Sequence, residues 1–186
     1  MAVERQHVFM QCVGLFDDGA RVGGRRGPVQ IGSGAAKGYY QCKGQADGQG
    51  FLKPQFRQIF VLPASGGTER QLTAGDFHYG SDLSFTPDSQ ALVFSANLDP
   101  EWEFQPRDSN LYRLDLASGR LSALTTMAGD ESAPVFSPDG KQLAFLWQSN
   151  DLVPYSNSKL KVLQLSNNTV SDIAADFDRS IQSPNW

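Results

Sequence analysis

The phrase Phe136-Ser137-Pro138-Asp139-Gly140-Lys141-Gln142-Leu143-Ala144-Phe145 has a second copy in this chain. It stands 51 residues upstream, as Phe85-Thr86-Pro87-Asp88-Ser89-Gln90-Ala91-Leu92-Val93-Phe94. A third copy opens at Ser183-Pro184-Asn185-Trp186. In each full copy the proline presets φ for the second position of a type I turn. The aspartate bonds back to the local backbone, and the next residue takes the left-handed conformation that closes the turn. Gly140 does this freely, and the shared pattern puts its counterpart Ser89 at positive φ as well. Behind the turn runs Leu143-Ala144-Phe145-Leu146-Trp147. A short continuous apolar run with turn signals before it fits a strand covered on both faces.

The spacing recurs outside the phrase. Ile59 and Leu111 stand 52 apart, Leu111 and Leu160 stand 49 apart, and Phe136 and Trp186 stand 50 apart. Each unit reads strand a, tight turn, strand b, long loop, strand c, hairpin, strand d. No stretch holds apolar residues at helical spacing between good caps. A period near 50 with four short strands per unit is the signature of propeller blades. One such sheet cannot cover both its faces, so neighbours must pack on it. The chain is therefore read as all-β, a partial β-propeller of four-stranded antiparallel blades of the WD40-like kind with an irregular N-terminal segment. Residues 57–73 supply strands c and d of one blade. Residues 82–125 and 132–173 form full blades, and residues 181–186 form the first strand of the next. A ring needs at least about four blades, so the expectation is a ring cut inside a blade.

Residues 1–47 read differently from the propeller portion, residues 48–186. Eleven of the 18 glycines fall within residues 1–50. Gly23-Gly24-Arg25-Arg26-Gly27-Pro28 and Gly32-Ser33-Gly34 break the chain with no period around them. Only Val8-Phe9-Met10-Gln11-Cys12-Val13-Gly14-Leu15-Phe16 has strand character. The segment is expected to be irregular, either disordered or mistranslated. Cys12 and Cys42, the only cysteines, both lie in it, and free thiols and a disulfide both fit an even count.

A net charge of −4 gives no electrostatic reason for nucleic-acid binding. No run approaches the roughly 18 apolar residues of a membrane span. The start shows no basic stretch followed by an apolar core. The two histidines, His7 and His78, lie far apart and do not have metal-ligand spacing, so neither a metal nor a cofactor is expected. No serine stands in a Gly-x-Ser-x-Gly context, and Gly32-Ser33-Gly34 is a three-residue look-alike. His78 lies in Asp76-Phe77-His78-Tyr79-Gly80, a loop between blades. As it stands the chain reads as catalytically inactive, because a triad needs a nucleophile, a base and an orienting acid converging in space.

In a four-stranded meander the b–c loops and d–a connections emerge on one face. Loops 97–109 and 148–158 and linkers 74–81 and 126–131 are thus expected at one rim. Loop 97–109 supplies the candidate substrate-binding residues Glu101, Trp102, Glu103 and Arg107, with Asp99 and Phe104 beside them. Exposed carboxylates there suit a peptide's free amine, and aromatic rings suit its side chain. The plainer alternative has Trp102 and Phe104 packing on the neighbouring blade while the acids stay solvated.

Gly50-Phe51-Leu52-Lys53-Pro54-Gln55-Phe56-Arg57-Gln58-Ile59-Phe60-Val61 is followed by Gly66-Gly67-Thr68-Glu69-Arg70-Gln71-Leu72-Thr73 and by Trp102-Glu103-Phe104-Gln105-Pro106-Arg107-Asp108-Ser109. In this order, with the Ser-Pro-Asp-Gly phrase, they resemble the N-terminal β-propeller of bacterial peptidases of the prolyl oligopeptidase family, on the acylaminoacyl-peptidase and dipeptidyl-aminopeptidase side. The phrase alone is shared with TolB-like propellers. The resemblance runs from about residue 48 to 186, and an upstream frameshift would account for the departure before it. It implies a parent serine peptidase acting on short peptides. The partners it implies are the chain's own α/β-hydrolase domain, missing here, and those peptides, with no nucleic acid and no membrane. A homo-oligomer, and either the cytoplasm or the periplasm, are compatible with it. The rival expectation is a TolB-like protein-binding scaffold without catalytic activity.

Overall fold

A computed structural model describes residues 6–14, 45–46, 50–51, 55–63, 67–80, 82–151 and 156–186. The described residues form thirteen strands and no helix. Strand β1 (Gln6–Gly14) is followed by the two-residue pair β2 (Gln45–Ala46) and β3 (Gly50–Phe51), then by β4 (Gln55–Pro63) and β5 (Arg70–Gln71). Strands β1, β4 and β5 make an antiparallel sheet in that order. The second sheet runs β6 (Ser84–Phe85), β7 (Ala91–Ala96), β8 (Asn110–Asp115), β9 (Leu121–Ala123). The third runs β10 (Asp130–Phe136), β11 (Gln142–Gln148), β12 (Lys159–Gln164), β13 (Thr169–Ile173). Both are four-stranded and antiparallel, with neighbours in space following neighbours in sequence. This is the expected all-β, partial-propeller architecture.

Two expectations need correction. Residues 1–47 are not irregular throughout, because β1 pairs with β4 over nine positions, from Gln6 opposite Pro63 to Gly14 opposite Gln55. Strand β1 takes the position of strand b in the unit whose c and d strands are β4 and β5. The pairing is long-range, so the glycine-rich sequence between the partners hides it from local pattern. Most of the remaining segment, Cys42 included, lies outside the described residues. Residues 181–186 do not form a strand. A strand a needs a strand b beside it, and the described residues offer none. Instead Ile181 N–H donates to Ser158 O at 2.9 Å, and Trp186 Nε1 donates to Val135 O at 2.9 Å.

The cores lie between sheets. Leu92, Phe94 and Ala96 of β7 and Leu114 of β8 meet Ile59 of β4 and Tyr79 in one cluster. Val93 of β7 and Leu111 of β8 meet Leu143, Phe145 and Leu163 of the third sheet in another. The period-2 geometry of a strand sends alternate residues of β7 to opposite neighbours. Each fully buried Leu, Val or Phe contributes about 1.5–3 kcal/mol relative to exposure. The seams are also tied by a repeated backbone bond, in which the residue ending each linker donates to the start of the preceding strand c. Tyr79 N–H donates to Arg57 O and Glu131 N–H to Ser109 O, each at 3.1 Å, and Ile181 N–H repeats the pattern.

Candidate functional site

The rim expected from the meander is present. Loop 97–109 folds on itself: Asn97 Nδ2 donates to Gln105 O at 2.6 Å, and Glu101 N–H donates to Asp99 Oδ1 at 2.7 Å. Phe104 N–H closes a turn onto Glu101 O at 2.8 Å. Linker 126–131 is pinned to the loop's base, where Gly129 N–H donates to Asp108 Oδ1 at 3.0 Å and Ser109 Oγ donates to Asp130. Trp147 Nε1 donates to Ala128 O at 2.9 Å, which joins β11 to the same linker. Gly129 has φ of 119°, and a Cβ there would stand 2.5 Å from Gln148 O. No other residue fits between linker and strand.

Trp102 is half-buried. Its ring stands edge-on to His78 at 5.5 Å and to Phe56 at 6.5 Å, and His78 and Phe56 lie 5.4 Å apart. The loop is thus clamped to the preceding unit and to linker 74–81. Arg57 N–H donates to His78 Nδ1 at 3.4 Å, which requires a neutral ring. Partial burial, and secondarily the Arg57 charge, hold the His78 pKa below its ordinary value. Glu101, Glu103 and Arg107 are exposed, and Phe104 is 76% exposed. The structure therefore brings the four candidate residues onto one loop, with three side chains in solvent and Trp102 committed to packing. Phe104 does not join it.

One residue at this rim carried no sequence signal on its own. Glu131, at the start of β10, is fully buried. Its Oε2 accepts from Leu111 N–H at 3.1 Å and from Thr125 Oγ1, while Oε1, like Asn110 Oδ1, has no hydrogen-bond partner among the described residues. Burial pushes its pKa up to about 7, against the opposing bond from Thr125. In the repeated linker bond its place is held by Tyr79 and Ile181 in the other units, so a carboxyl group is the exception at that position.

Residues 33–154 match the family model of the dipeptidyl peptidase IV N-terminal region. The chain is 26% identical over 107 residues to dipeptidyl-peptidase 5 of Porphyromonas gingivalis, a stretch covering 56% of this chain and 16% of that protein. It is 30% identical over 106 residues to a TolB homolog of Chlorobium chlorochromatii, covering 49% of this chain and 24% of the relative. Among solved structures, a protein from Agrobacterium tumefaciens assigned as a TolB superposes with a TM-score of 0.51 at 16% identity, over 62% of this chain and 40% of that one. That likeness concerns the fold. The chain matches only a small part of the length of these curated relatives, a quarter or less in each case.

Proposed function

The chain belongs to the dipeptidyl peptidase IV N-terminal region family, and from that premise we propose that it is the propeller portion of a serine peptidase acting on short peptides. In this reading it gates access to an α/β-hydrolase domain that carries the nucleophile, and it is inactive alone. Its rim loop contributes Glu101 and Glu103 as acceptors for a peptide's free amine, with Phe104 and the exposed edge of Trp102 beside the first side chain. The observation that carries the reading is the family match over residues 33–154, taken with a rim loop clamped from two sides yet presenting its acids to solvent.

The test has two arms. The reading frame downstream of residue 186 should encode a Gly-x-Ser-x-Gly elbow, and the joined product should hydrolyse dipeptidyl arylamides. The 186-residue chain should bind a dipeptide with a free amine, read by Trp102 fluorescence, and not its N-acetyl form. Glu101→Gln with Glu103→Gln should weaken that binding about tenfold or more, as expected for lost charge-assisted bonds. A joined product without an elbow overturns the peptidase reading. It would favour a TolB-like protein-binding scaffold, which the similarity to the Chlorobium relative supports.

A further inference from the structure

The first and second sheets solve the same problem with different chemistry. In the first, the N–H of Ile59 donates to Thr73 Oγ1 at 2.9 Å, and Thr73 Oγ1 donates to Gln58 Oε1 at 2.9 Å. Gln58 Nε2 then donates to Gly75 O at 3.0 Å, so each atom of this neutral amide is used. In the second, the N–H of Leu111 donates to Thr125 Oγ1 at 2.9 Å, but the residue in the place of Gln58 is Asn110. Asparagine is one methylene shorter. Thr125 Oγ1 is met instead by Glu131, which enters from the linker to the third sheet. Two buried acceptors are left over, Glu131 Oε1 and Asn110 Oδ1. The Leu111 N–H bound to Glu131 Oε2 belongs to the residue that follows Asn110. A buried acceptor without a donor is costly.

We propose that Glu131 is held in the folded chain as the neutral acid, its Oε1–H pointing to the Asn110 carbonyl, so that its ionisation loosens the seam between the second and third sheets. The proton turns the orphan Oε1 from an acceptor into a donor, and Oε2 keeps its two acceptor bonds. The carboxyl then plays the part that the Gln58 amide plays one unit earlier. Ionisation breaks the Oε1–H bond, sends the proton to solvent and leaves a buried anion facing Asn110.

The charged groups around it do not relieve that anion. Asp108 opposes it from the base of loop 97–109. Asp130, next to it on β10, is bound by Ser109. Tyr112 on β8 is itself pushed up by burial first and by Glu131, Asp99 and Asp108 after it. Among the described residues, Lys161 on β12 is the cation whose charge acts on it. It is already paired with Asp172 and lies 4.7 Å over the Trp147 ring. The seam also carries the Ser95 hydroxyl, which donates to Glu131 O, and Glu131 N–H donates to Ser109 O. Movement of Glu131 therefore pulls on β7 and on the start of β8.

The sign follows from the burial-raised pKa of about 7 against 4.5 for the free side chain. Stability is full below about 4.5 and is lost as pH rises through about 7. The test compares thermal melts of the 186-residue chain and Glu131→Gln from pH 5 to pH 8. Glutamine copies the neutral acid, with Oε1 for Thr125 and Leu111 and an amide N–H for Asn110. The melting temperature of Glu131→Gln relative to the parent should climb from pH 5 to about 7 and level off by pH 8. A constant or falling difference overturns the proposal. If Glu131→Gln does not fold, the carbon-13 carboxyl shift of Glu131 in glutamate-labelled parent chain decides. A midpoint near neutrality supports the proposal, and a midpoint in the ordinary glutamate range overturns it.

Discussion

Strands β7 and β11 follow the same turn phrase with nearly interchangeable apolar runs, yet they are covered to different degrees. Every residue of β7 is buried, whereas β11 is buried only at Leu143, Ala144 and Phe145. The difference comes from neighbours. Sheet two has sheet one on the Leu92 and Phe94 side and sheet three on the Val93 side. Sheet three has sheet two on its Leu143 and Phe145 side. Its other face, with Ala144, Leu160, Val162 and Ile173, lines an open groove of about 290 Å³ beside Trp186. A strand's apolar run thus states what the strand can bury, and the number of packed sheets decides what it does bury.

The largest expected effect breaks or confirms that contrast with one chemistry at two sites. Leu92→Ala removes a fully buried side chain from between two sheets and should cost about 3–4 kcal/mol, the transfer loss plus the cavity left behind. Leu160→Ala acts on the open face of β12, where the side chain is half-buried, and should cost about 1 kcal/mol. Urea unfolding midpoints of the two variants measure the difference. Equal costs would mean that the open face is covered in solution.

Next in size is Gly140→Val. Gly140 has φ of 69°, and a Cβ there would stand 3.1 Å from Pro87 Cγ of the neighbouring turn. A β-branched side chain is strained at positive φ and also presses on the proline. The cost should be about 2 kcal/mol or more by the same urea measurement. A cost below about 0.5 kcal/mol would show that the two turns do not touch.

Much of this was legible in the sequence, and the reasons are local. The turn phrase fixes two residues' φ and a proline ring within five positions, so turn geometry and strand b follow directly. The run Val8 to Phe16 showed strand character, but the pairing of β1 with β4 was hidden because the partner lies across a glycine-rich stretch. Glu131 was hidden because its role depends on Asn110 being one methylene shorter than Gln58 in another unit, a contact across a seam. At the rim, position was legible from the meander, since b–c loops and d–a linkers must share an edge. The commitment of Trp102 to Phe56 and His78 was not, because an aromatic residue in a loop reads equally as ligand or as clamp.

A subtler contrast separates the two titrating groups near the rim. Glu131 favours its neutral form and weakens the fold as pH rises. His78 also favours its neutral form, but a base with a lowered pKa contributes stability above 6.5 that is lost as pH falls. Protonation removes the Nδ1 acceptor for Arg57 N–H and places a cation beside Trp102. Trp102 fluorescence should therefore drop on acidification with a midpoint below 6.5, and His78→Asn should abolish the transition. A midpoint above 6.5 would place His78 in the field of a carboxylate instead.

The smallest expected effect is Ser89→Gly, and its smallness is informative. The two turns share their bonds: Ser89 N–H donates to Thr86 O at 2.7 Å as Gly140 N–H does to Ser137 O at 2.8 Å. Thr86 Oγ1 donates to Asp88 Oδ1 and Ser137 Oγ to Asp139 Oδ1, each at 2.6 Å. Ser89 has φ of 56°, the positive value expected from its alignment with Gly140. Glycine there relieves left-handed strain of about 1 kcal/mol. It also adds unfolded-state entropy worth about 0.4–1 kcal/mol in the opposite direction. Ser89 is exposed, so no packing is lost. The net change should lie within about 0.5 kcal/mol of zero, neutral or mildly stabilising, while Gly140→Val at the equivalent position is costly. One turn geometry thus tolerates serine where its flank is open to solvent and requires glycine where a neighbouring proline stands against it. If Ser89→Gly instead costs more than about 1 kcal/mol, the serine hydroxyl holds the turn together and the two turns are not equivalent.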